Sequence, residues 1–271
     1  MLSLRLFPRL TAFFCGGLIN KKAVRKSSLK KEKHCEKNCL SLSCSGCVSL
    51  AAAKAGVIAD WTFQTAASTN NIIGAGKTPG TTQSGISADI GAGTASASHA
   101  SASTAWSIPS GNGSTNSWSA NNWTTGDFFQ FSVSTVGFTD ITLSYDQTGS
   151  ATGPGLFSLQ YSTDGLTFSP SGGNNTISLS TWTPGTVQSG FTFSYNLSAI
   201  SALDNAPSVF FRIVDQAPTT GGAINGGNVG TAGTDRVDNF IVNASPIPEP
   251  ATLALGFVSG FACLVVLRRK L

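Results

Sequence analysis

Carboxylates are the residues with the clearest capacity for chemistry in the central chain, residues 56–250. This region contains ten aspartates and one glutamate, Glu249, and two carboxylates suffice for glycoside hydrolysis. The lone histidine there, His99, lies in ASASHASAS, where we expect a solvated loop residue, and no G-x-S-x-G nucleophile motif occurs. We therefore predict a non-enzymatic protein. The alternative is a secreted carbohydrate-active hydrolase that uses an Asp pair.

Four tryptophans suggest binding rather than catalysis. Trp106, Trp118 and Trp123 fall in WSIPSGNGSTNSWSANNW, and Trp182 lies further along the chain. Flat aromatic rings flanked by amides and hydroxyls are groups on which sugar rings stack and to which they hydrogen-bond. We predict that these four residues bind carbohydrate. The sequence leaves open the alternative that the rings cap a hydrophobic core.

The cysteines favour neither a metal site nor a disulfide. Five of the six cysteines precede Gly56, and the central region has none. Cys44 and Cys47 form one Cys-x-x-Cys, but a two-pair zinc site separates its pairs by about a dozen residues or more. Cys39 lies too close to Cys44 for that spacing.

Charge is distributed unevenly along the chain. The whole chain has a formal net charge of +4, but residues 56–250 hold only Lys77, Arg212 and Arg236 against eleven acids, a net charge of −8. The basic residues belong to the two ends. Because nucleic-acid binding needs a basic face for phosphate contacts, we predict no nucleic-acid partner.

Alternating apolar residues predict the fold that must position these side chains. Period-two patterns are typical of strands with one buried face, and they occur in six stretches: Phe129–Val133, Ile141–Tyr145, Phe157–Tyr161, Phe191–Tyr195, Phe211–Ile213 and Val237–Val242. Asp164-Gly165 is a hairpin-turn signal between two of them. We predict an all-β, antiparallel two-sheet β-sandwich. The Gly- and Ser-rich stretches 73–119 and 219–233 are expected to be long surface loops, with disorder as the alternative.

The C-terminal end combines a proline-bracketed acid, an apolar run and a basic cluster. Pro248, Glu249 and Pro250 precede the run 251–267, which ends at Arg268, Arg269 and Lys270. About 17 to 25 apolar residues span a bilayer as a helix, and a terminal basic cluster favours the cytoplasmic side. We therefore predict a single transmembrane helix at 251–267.

This order of elements resembles the PEP-CTERM sorting signal of exported bacterial proteins. The resemblance covers residues 246–271, with the motif at 248–250, the helix at 251–267 and the basic tail at 268–271. It implies that the chain is the substrate of an exosortase, a membrane-embedded enzyme that acts near the Pro-Glu-Pro. It also implies an inner-membrane intermediate, and then a place on the cell surface or in the extracellular matrix of a Gram-negative, exopolysaccharide-producing bacterium.

The N-terminal end, residues 1–55, contains a candidate export signal. The basic segment 21–37, a weakly apolar stretch and Ala53-Lys54-Ala55 predict a signal peptide that the Sec translocon would use, cleaved between Ala55 and Gly56. The apolar segment MLSLRLFPRLTAFFCGG precedes it. Either the true start lies downstream, for example at Leu29, or residues 1–19 are a second targeting segment.

Phrases of the central part, residues 56–245, resemble exported jelly-roll modules with a carbohydrate-binding-like β-sandwich. The phrases are SLQYSTDGLTF, LSAISALDNAPSVFFRIV and TDRVDNFIV. The resemblance implies extracellular polysaccharide as a ligand and a structural Ca²⁺ held by oxygen ligands from the first and last strands. By that resemblance Asp60 and Asp238 are the candidate ligands, with Asp235 less favoured. Turn aspartates of purely structural role are the alternative.

Overall fold

The computed structural model describes residues 54–70, 72 and 81–248. Within these ranges the chain forms thirteen β-strands, one helical turn (α1, Ala66–Thr69) and one 3₁₀ turn, Ser201–Leu203. The strands are β1 Gly56–Trp61, β2 Thr82–Ser87, β3 Ile90–Gly91, β4 Gly93–Ser98, β5 Trp106–Ser107, β6 Trp118–Ala120, β7 Phe128–Val133, β8 Phe138–Gly149, β9 Leu156–Ser162, β10 Ser169–Thr176, β11 Thr192–Asn196, β12 Val209–Asp215 and β13 Asp235–Pro246.

The strands form two antiparallel sheets, which confirms the predicted all-β class. The seven-stranded sheet has the order β11-β8-β13-β1-β3, and β6 extends it by pairing with β13 and with β5. The six-stranded sheet has the order β10-β9-β12-β7-β4-β2. The first and last strands of the described chain are neighbours, because β1 pairs with β13 from Gly56 opposite Ala244 to Trp61 opposite Phe240.

Aromatic residues from both sheets meet in the core between them. Phe131 of β7 and Phe240 of β13 stack with ring centroids 3.6 Å apart and planes 4° from parallel. Trp61 of β1 packs edge-on against both, at 5.1 Å and 5.9 Å. All three side chains have no exposed surface. The alternation read from the sequence therefore selected the buried face of β7 correctly, since every second residue of that strand points inward.

The hairpin predicted at Asp164-Gly165 joins β9 to β10. Gly165 has φ +72°, a left-handed conformation that glycine adopts without steric cost. The Asp164 Oδ1 accepts the backbone N–H groups of Leu166 and Thr167 at 2.8 Å each. The turn residues thus act as the sequence pattern indicated.

The prediction of a long surface loop at 73–119 was wrong for its described part, residues 81–119. This segment contributes β2 to β5 and the start of β6, and Ala95 and Ala97 of β4 point into the core. Small side chains are required there because a Cβ on Gly93 would lie 2.6 Å from the Trp61 ring. By contrast, residues 219–233 contain no strand or helix, as expected for a loop.

The two predicted targeting signals lie mostly outside the described residues. Residues 1–53 and 249–271 are not described, so the helix 251–267, the tail Arg268–Lys270 and Glu249-Pro250 of the motif are not placed. Pro248 is the last described residue, and the predicted cleavage point between Ala55 and Gly56 falls at the start of β1. Within the described ranges, no helix has the length and hydrophobicity to cross a bilayer.

We predict that Phe240→Ala lowers the free energy of unfolding by about 3–5 kcal/mol, because it removes a ring that contacts both sheets and leaves a cavity. Urea denaturation of the full-length chain in mild detergent provides the measurement. Val57→Ala on β1 is the control, since Val57 is 46% exposed, and it should change stability by less than about 0.5 kcal/mol. Equal effects of the two substitutions would contradict the packing described.

Candidate binding face and buried carboxylates

The four tryptophans predicted to bind carbohydrate lie in the interior. Trp106 and Trp118 have no exposed surface, Trp182 is 2% exposed and Trp123 is 5% exposed. The Trp118 ring lies 4.7 Å from Phe129, and the Trp123 ring lies 5.3 Å from Phe157. Because a stacking residue must present its flat face to solvent, the carbohydrate-binding prediction finds no support at these positions. The four rings are instead buried, as the alternative of a role in the core expected.

His99 is buried rather than solvated, so that expectation was wrong. Its ring lies between Trp106 and Trp123, with centroids 4.7 Å and 4.1 Å away, and its Nδ1 is 3.6 Å from the Asp127 Oδ2. Burial lowers the pKa of His99 to about 3. The imidazole is therefore neutral at physiological pH and closed to an external substrate.

Asp60 and Asp238, the candidate Ca²⁺ ligands, have different partners. Asp60 pairs with Ile241 across β1 and β13, and burial together with the charge of Asp89 raises its pKa. Asp238 Oδ2 accepts hydrogen bonds from the backbone N–H of Asn112 at 2.9 Å and from the Ser114 Oγ at 2.8 Å. Neither aspartate is among the other's hydrogen-bond or charge partners. A Ca²⁺ site at this pair stays a prediction.

Asp146 and Asp238 fasten loops to the outer side of the seven-stranded sheet. They lie opposite each other on β8 and β13. The Asp146 Oδ2 accepts from the side-chain amides of Asn112 at 3.0 Å and Asn239 at 2.9 Å, and its Oδ1 accepts from the Thr192 hydroxyl at 2.5 Å. Donors from the protein thus occupy this carboxylate pair, and both residues are nearly fully buried. The pair is closed to a sugar.

Among the residues that the structure describes, no three or more His, Cys, Asp or Glu side chains are grouped to hold a metal ion.

The remaining surface of interest is the outer face of the six-stranded sheet. Strand register aligns a row of side chains across five strands of that face: Ser96, Gln130, Arg212, Gln160 and Pro170. We call this row, together with Phe128 and Phe168, the arginine platform.

Arg212 is the centre of the arginine platform. Its guanidinium carbon lies 3.9 Å from the centroid of the Phe128 ring and 3.6 Å from that of Phe168, so the cation is held between two aromatic faces. Its Nε donates to the Gln130 Oε1 at 2.7 Å, and the Gln130 Nε2 donates to the Ser96 Oγ at 3.2 Å. The two terminal nitrogens have no protein acceptor within the described ranges and remain able to donate to a ligand.

The sequence contained a signal for this platform that our prediction did not use. Arg212 lies between Phe211 and Ile213, both fully buried, so the alternation of β12 places the arginine on the outward face. It is one of only three cations in residues 56–250. A cation at an outward strand position between two buried apolar residues is the pattern that would have identified it. The positions of Phe128 and Phe168 depend on strand pairing, which the sequence alone did not provide.

No protein-family model and no curated protein sequence matches the chain. Solved structures that resemble it include the K2 adhesin domain of Lys-gingipain, with 9% identity, coverage of 52% of this chain and 81% of that chain, and a TM-score of 0.31. The K1 and K3 domains of Lys-gingipain from Porphyromonas gingivalis W83 are each 11% identical. They cover 54% and 49% of this chain, 84% and 75% of their own, with TM-scores of 0.30 and 0.29. Similarities this low carry no argument about activity.

The buried acids predict an unusual pH dependence. Burial raises the pKa of Asp60 to about 6 and those of Asp215 and Asp238 to about 7, with the charges of Asp89, Asp127 and Asp146 adding to the respective shifts. Such groups keep protons in the fold that the unfolded chain releases above its carboxyl pKa of 3.8. Stability contributed by these protons therefore falls as pH rises from about 4 to 7. His99 has the opposite effect below pH 6.5, because its lowered pKa makes stability rise with pH there. It is one group against the three aspartates.

We expect the melting temperature of the full-length chain in chelator to be higher at pH 5 than at pH 7.5, by roughly 5 °C or more. Circular dichroism melts at a series of pH values provide the measurement. Asp215→Asn should reduce this difference because it removes one titrating group. A melting temperature that rises from pH 5 to 7.5 would show that these carboxylates are ionised in the fold.

Proposed function

We propose that this chain is an exported, non-enzymatic β-sandwich protein that binds extracellular polysaccharide at the cell surface or in the extracellular matrix. The observation that supports the binding role is the arginine platform. There a guanidinium, two phenyl rings and amide side chains lie together on one side of a sheet.

The chemistry of the platform suits a sugar polymer. Sugars present C–H faces that pack on aromatic rings and hydroxyls that accept from guanidinium and amide donors. Five strands spaced about 4.8 Å apart give the row a length of roughly 19 Å, enough for several sugar units in an extended chain. The two free terminal nitrogens of Arg212 suit hydroxyls and also the carboxylates of acidic sugars.

The proposal retains the sorting route that the two ends of the sequence suggest. A signal peptide cleaved between Ala55 and Gly56 would direct the chain to the Sec translocon. The tail that resembles a PEP-CTERM signal would hold it in the inner membrane until an exosortase acts near Pro248–Pro250. We also propose that the two sheets form a jelly roll of the carbohydrate-binding kind.

The hydrolase alternative has less support. A glycosidase needs an acid and a second carboxylate on either side of an accessible scissile bond. Asp146 and Asp238 lie opposite each other, but they are nearly fully buried and engaged by Asn112, Ser114 and Thr192.

We expect Arg212→Ala to weaken binding to immobilised extracellular polysaccharide from the host by about tenfold or more, because it removes the stacked cation. Affinity is measured with the full-length chain in mild detergent. Arg212→Lys should recover only part of the loss, since lysine keeps the charge but lacks the planar fork. Asn243→Ala, in a groove formed by β8, β11 and β13, is the matched control.

If the Arg212→Ala variant bound with unchanged affinity, the platform would not be the binding site. If Asn243→Ala weakened binding as much as Arg212→Ala, the loss would not be specific to the platform. Appearance of new reducing ends during incubation with the polysaccharide would favour the hydrolase.

We predict that Glu249→Gln, and separately Pro248→Ala with Pro250→Ala, cause uncut precursor to accumulate in the inner membrane of the native host. The recognised tripeptide is changed in these variants, while the apolar segment that inserts into the bilayer is not. Immunoblots of fractionated cells provide the measurement, with release of a chain truncated after Pro246 as the comparison. Normal processing of both variants would contradict the exosortase assignment.

A further inference from the structure

A polar layer crosses one end of the otherwise apolar core. On the six-stranded sheet, His99 follows β4, Asp127 precedes β7 and Asp215 ends β12. The inward-facing residues one row further in are Ala97, Phe129 and Ile213. The backbone N–H of Asp215 donates to the Asp127 carbonyl at 2.8 Å, which fixes their alignment. These side chains continue the buried faces of their strands.

The seven-stranded sheet contributes Asp235 and Gln147 to the same layer. Gln147 lies opposite Val237, and Asp235 lies opposite Gly149, so both side chains share the inward face of β8 and β13 with Val237. The Gln147 Nε2 donates to the Asp235 Oδ1 at 2.9 Å. The charge of Asp215, on the facing sheet, adds to the effect of burial in raising the pKa of Asp235 well above its usual range.

Three oxygens in this layer have no hydrogen-bond partner among the described residues. They are the Asp215 Oδ2, the Asp235 Oδ2 and the Gln147 Oε1, on side chains that are 1%, 0% and 0% exposed. Leaving a buried acceptor unsatisfied costs about 1–3 kcal/mol, and more for a charged group. Protons on the two acids are the alternative to a bound ion, because an O–H of one side chain could donate to an unpartnered oxygen of another.

We propose that Asp215, Asp235 and Gln147 bind a divalent cation of the oxygen-preferring class, Ca²⁺, between the two sheets. Carboxylate and amide oxygens are ligands that Ca²⁺ takes, and its six to eight positions leave room for water and backbone carbonyls. The cation neutralises two buried carboxylates and satisfies all three oxygens. It would also join β12 of one sheet to β8 and β13 of the other.

This site differs from the Asp60 and Asp238 pair suggested by the sequence. The Asp238 Oδ2 accepts hydrogen bonds from Asn112 and Ser114, whereas the three oxygens assigned here accept none from the described residues. The Asp60 Oδ1 is also without such a partner, but Asp60 and Asp238 do not interact with each other. The inference is independent of the proposed polysaccharide binding, because the layer is inside the sandwich and the platform is on its outer surface.

The test uses the full-length chain in mild detergent, stripped with chelator and titrated with Ca²⁺ or with Tb³⁺. Saturating Ca²⁺ at about a hundred times its dissociation constant should raise the melting temperature by roughly 5–10 °C. Tb³⁺ should show luminescence on tryptophan excitation, with Ca²⁺ displacing it, since several tryptophans surround this end of the core.

Asp215→Asn and Asp235→Asn should each abolish both responses, because they keep the shape of the side chain and remove its charge. The matched control Asp140→Asn, at an exposed aspartate outside both candidate sites, should keep both responses. Gln147→Glu provides a gain-of-affinity variant, with Ca²⁺ expected to bind more tightly by about tenfold. Its readout does not require either asparagine variant to fold.

Several outcomes would overturn the proposal. These are a parent chain whose melting temperature and Tb³⁺ signal do not respond, asparagine variants at 215 and 235 that still respond, and loss of the response in Asp238→Asn alone. A Gln147→Glu variant that Ca²⁺ neither stabilises nor binds would also exclude the site. In that case the two acids would be a protonated pair.

Discussion

The stacking of Phe131 on Phe240 joins the two sheets, and the positions of the surrounding strands follow from it. Rings in parallel contact across the core fix the separation of β7 from β13, and Trp61 fills the adjacent space. β4, which pairs with β7 and lies against the Trp61 ring, must then carry small residues. This explains why β4 is a run of Gly, Ala, Ser and Thr, a composition that would form a weak strand in isolation.

The same alternation that builds the core also divides the polar residues into two groups. Outward residues of the six-stranded sheet form the arginine platform, where side chains meet solvent. Inward positions at one end of the strands hold His99, Asp127, Asp215 and Asp235, which are almost fully buried. Polar side chains in the two groups therefore have different energetic consequences, because water can satisfy the first group and only protein atoms or a bound ion can satisfy the second.

Local patterns predicted the fold class well and the sites poorly. The strands around Phe129, Leu143 and Phe211 were recognisable because period two is a property of neighbouring residues. The alanine strand β4 carried too little hydrophobic signal to be recognised. The tryptophans were ambiguous since a ring in a polar stretch looks the same whether it binds sugar or packs inward. The polar layer required the register of strands from both sheets, which depends on pairings between distant residues.

The position of β13 also determines when the molecule can assemble. This strand pairs with β1, β6 and β8. The seven-stranded sheet therefore lacks its central strand until residues 235–246 have been synthesised. A chain that emerges from its N-terminus therefore holds β1 unpaired along that edge for almost the whole of its synthesis. The seven-stranded sheet can be completed only after β13 has been synthesised, and that strand ends two residues before Pro248.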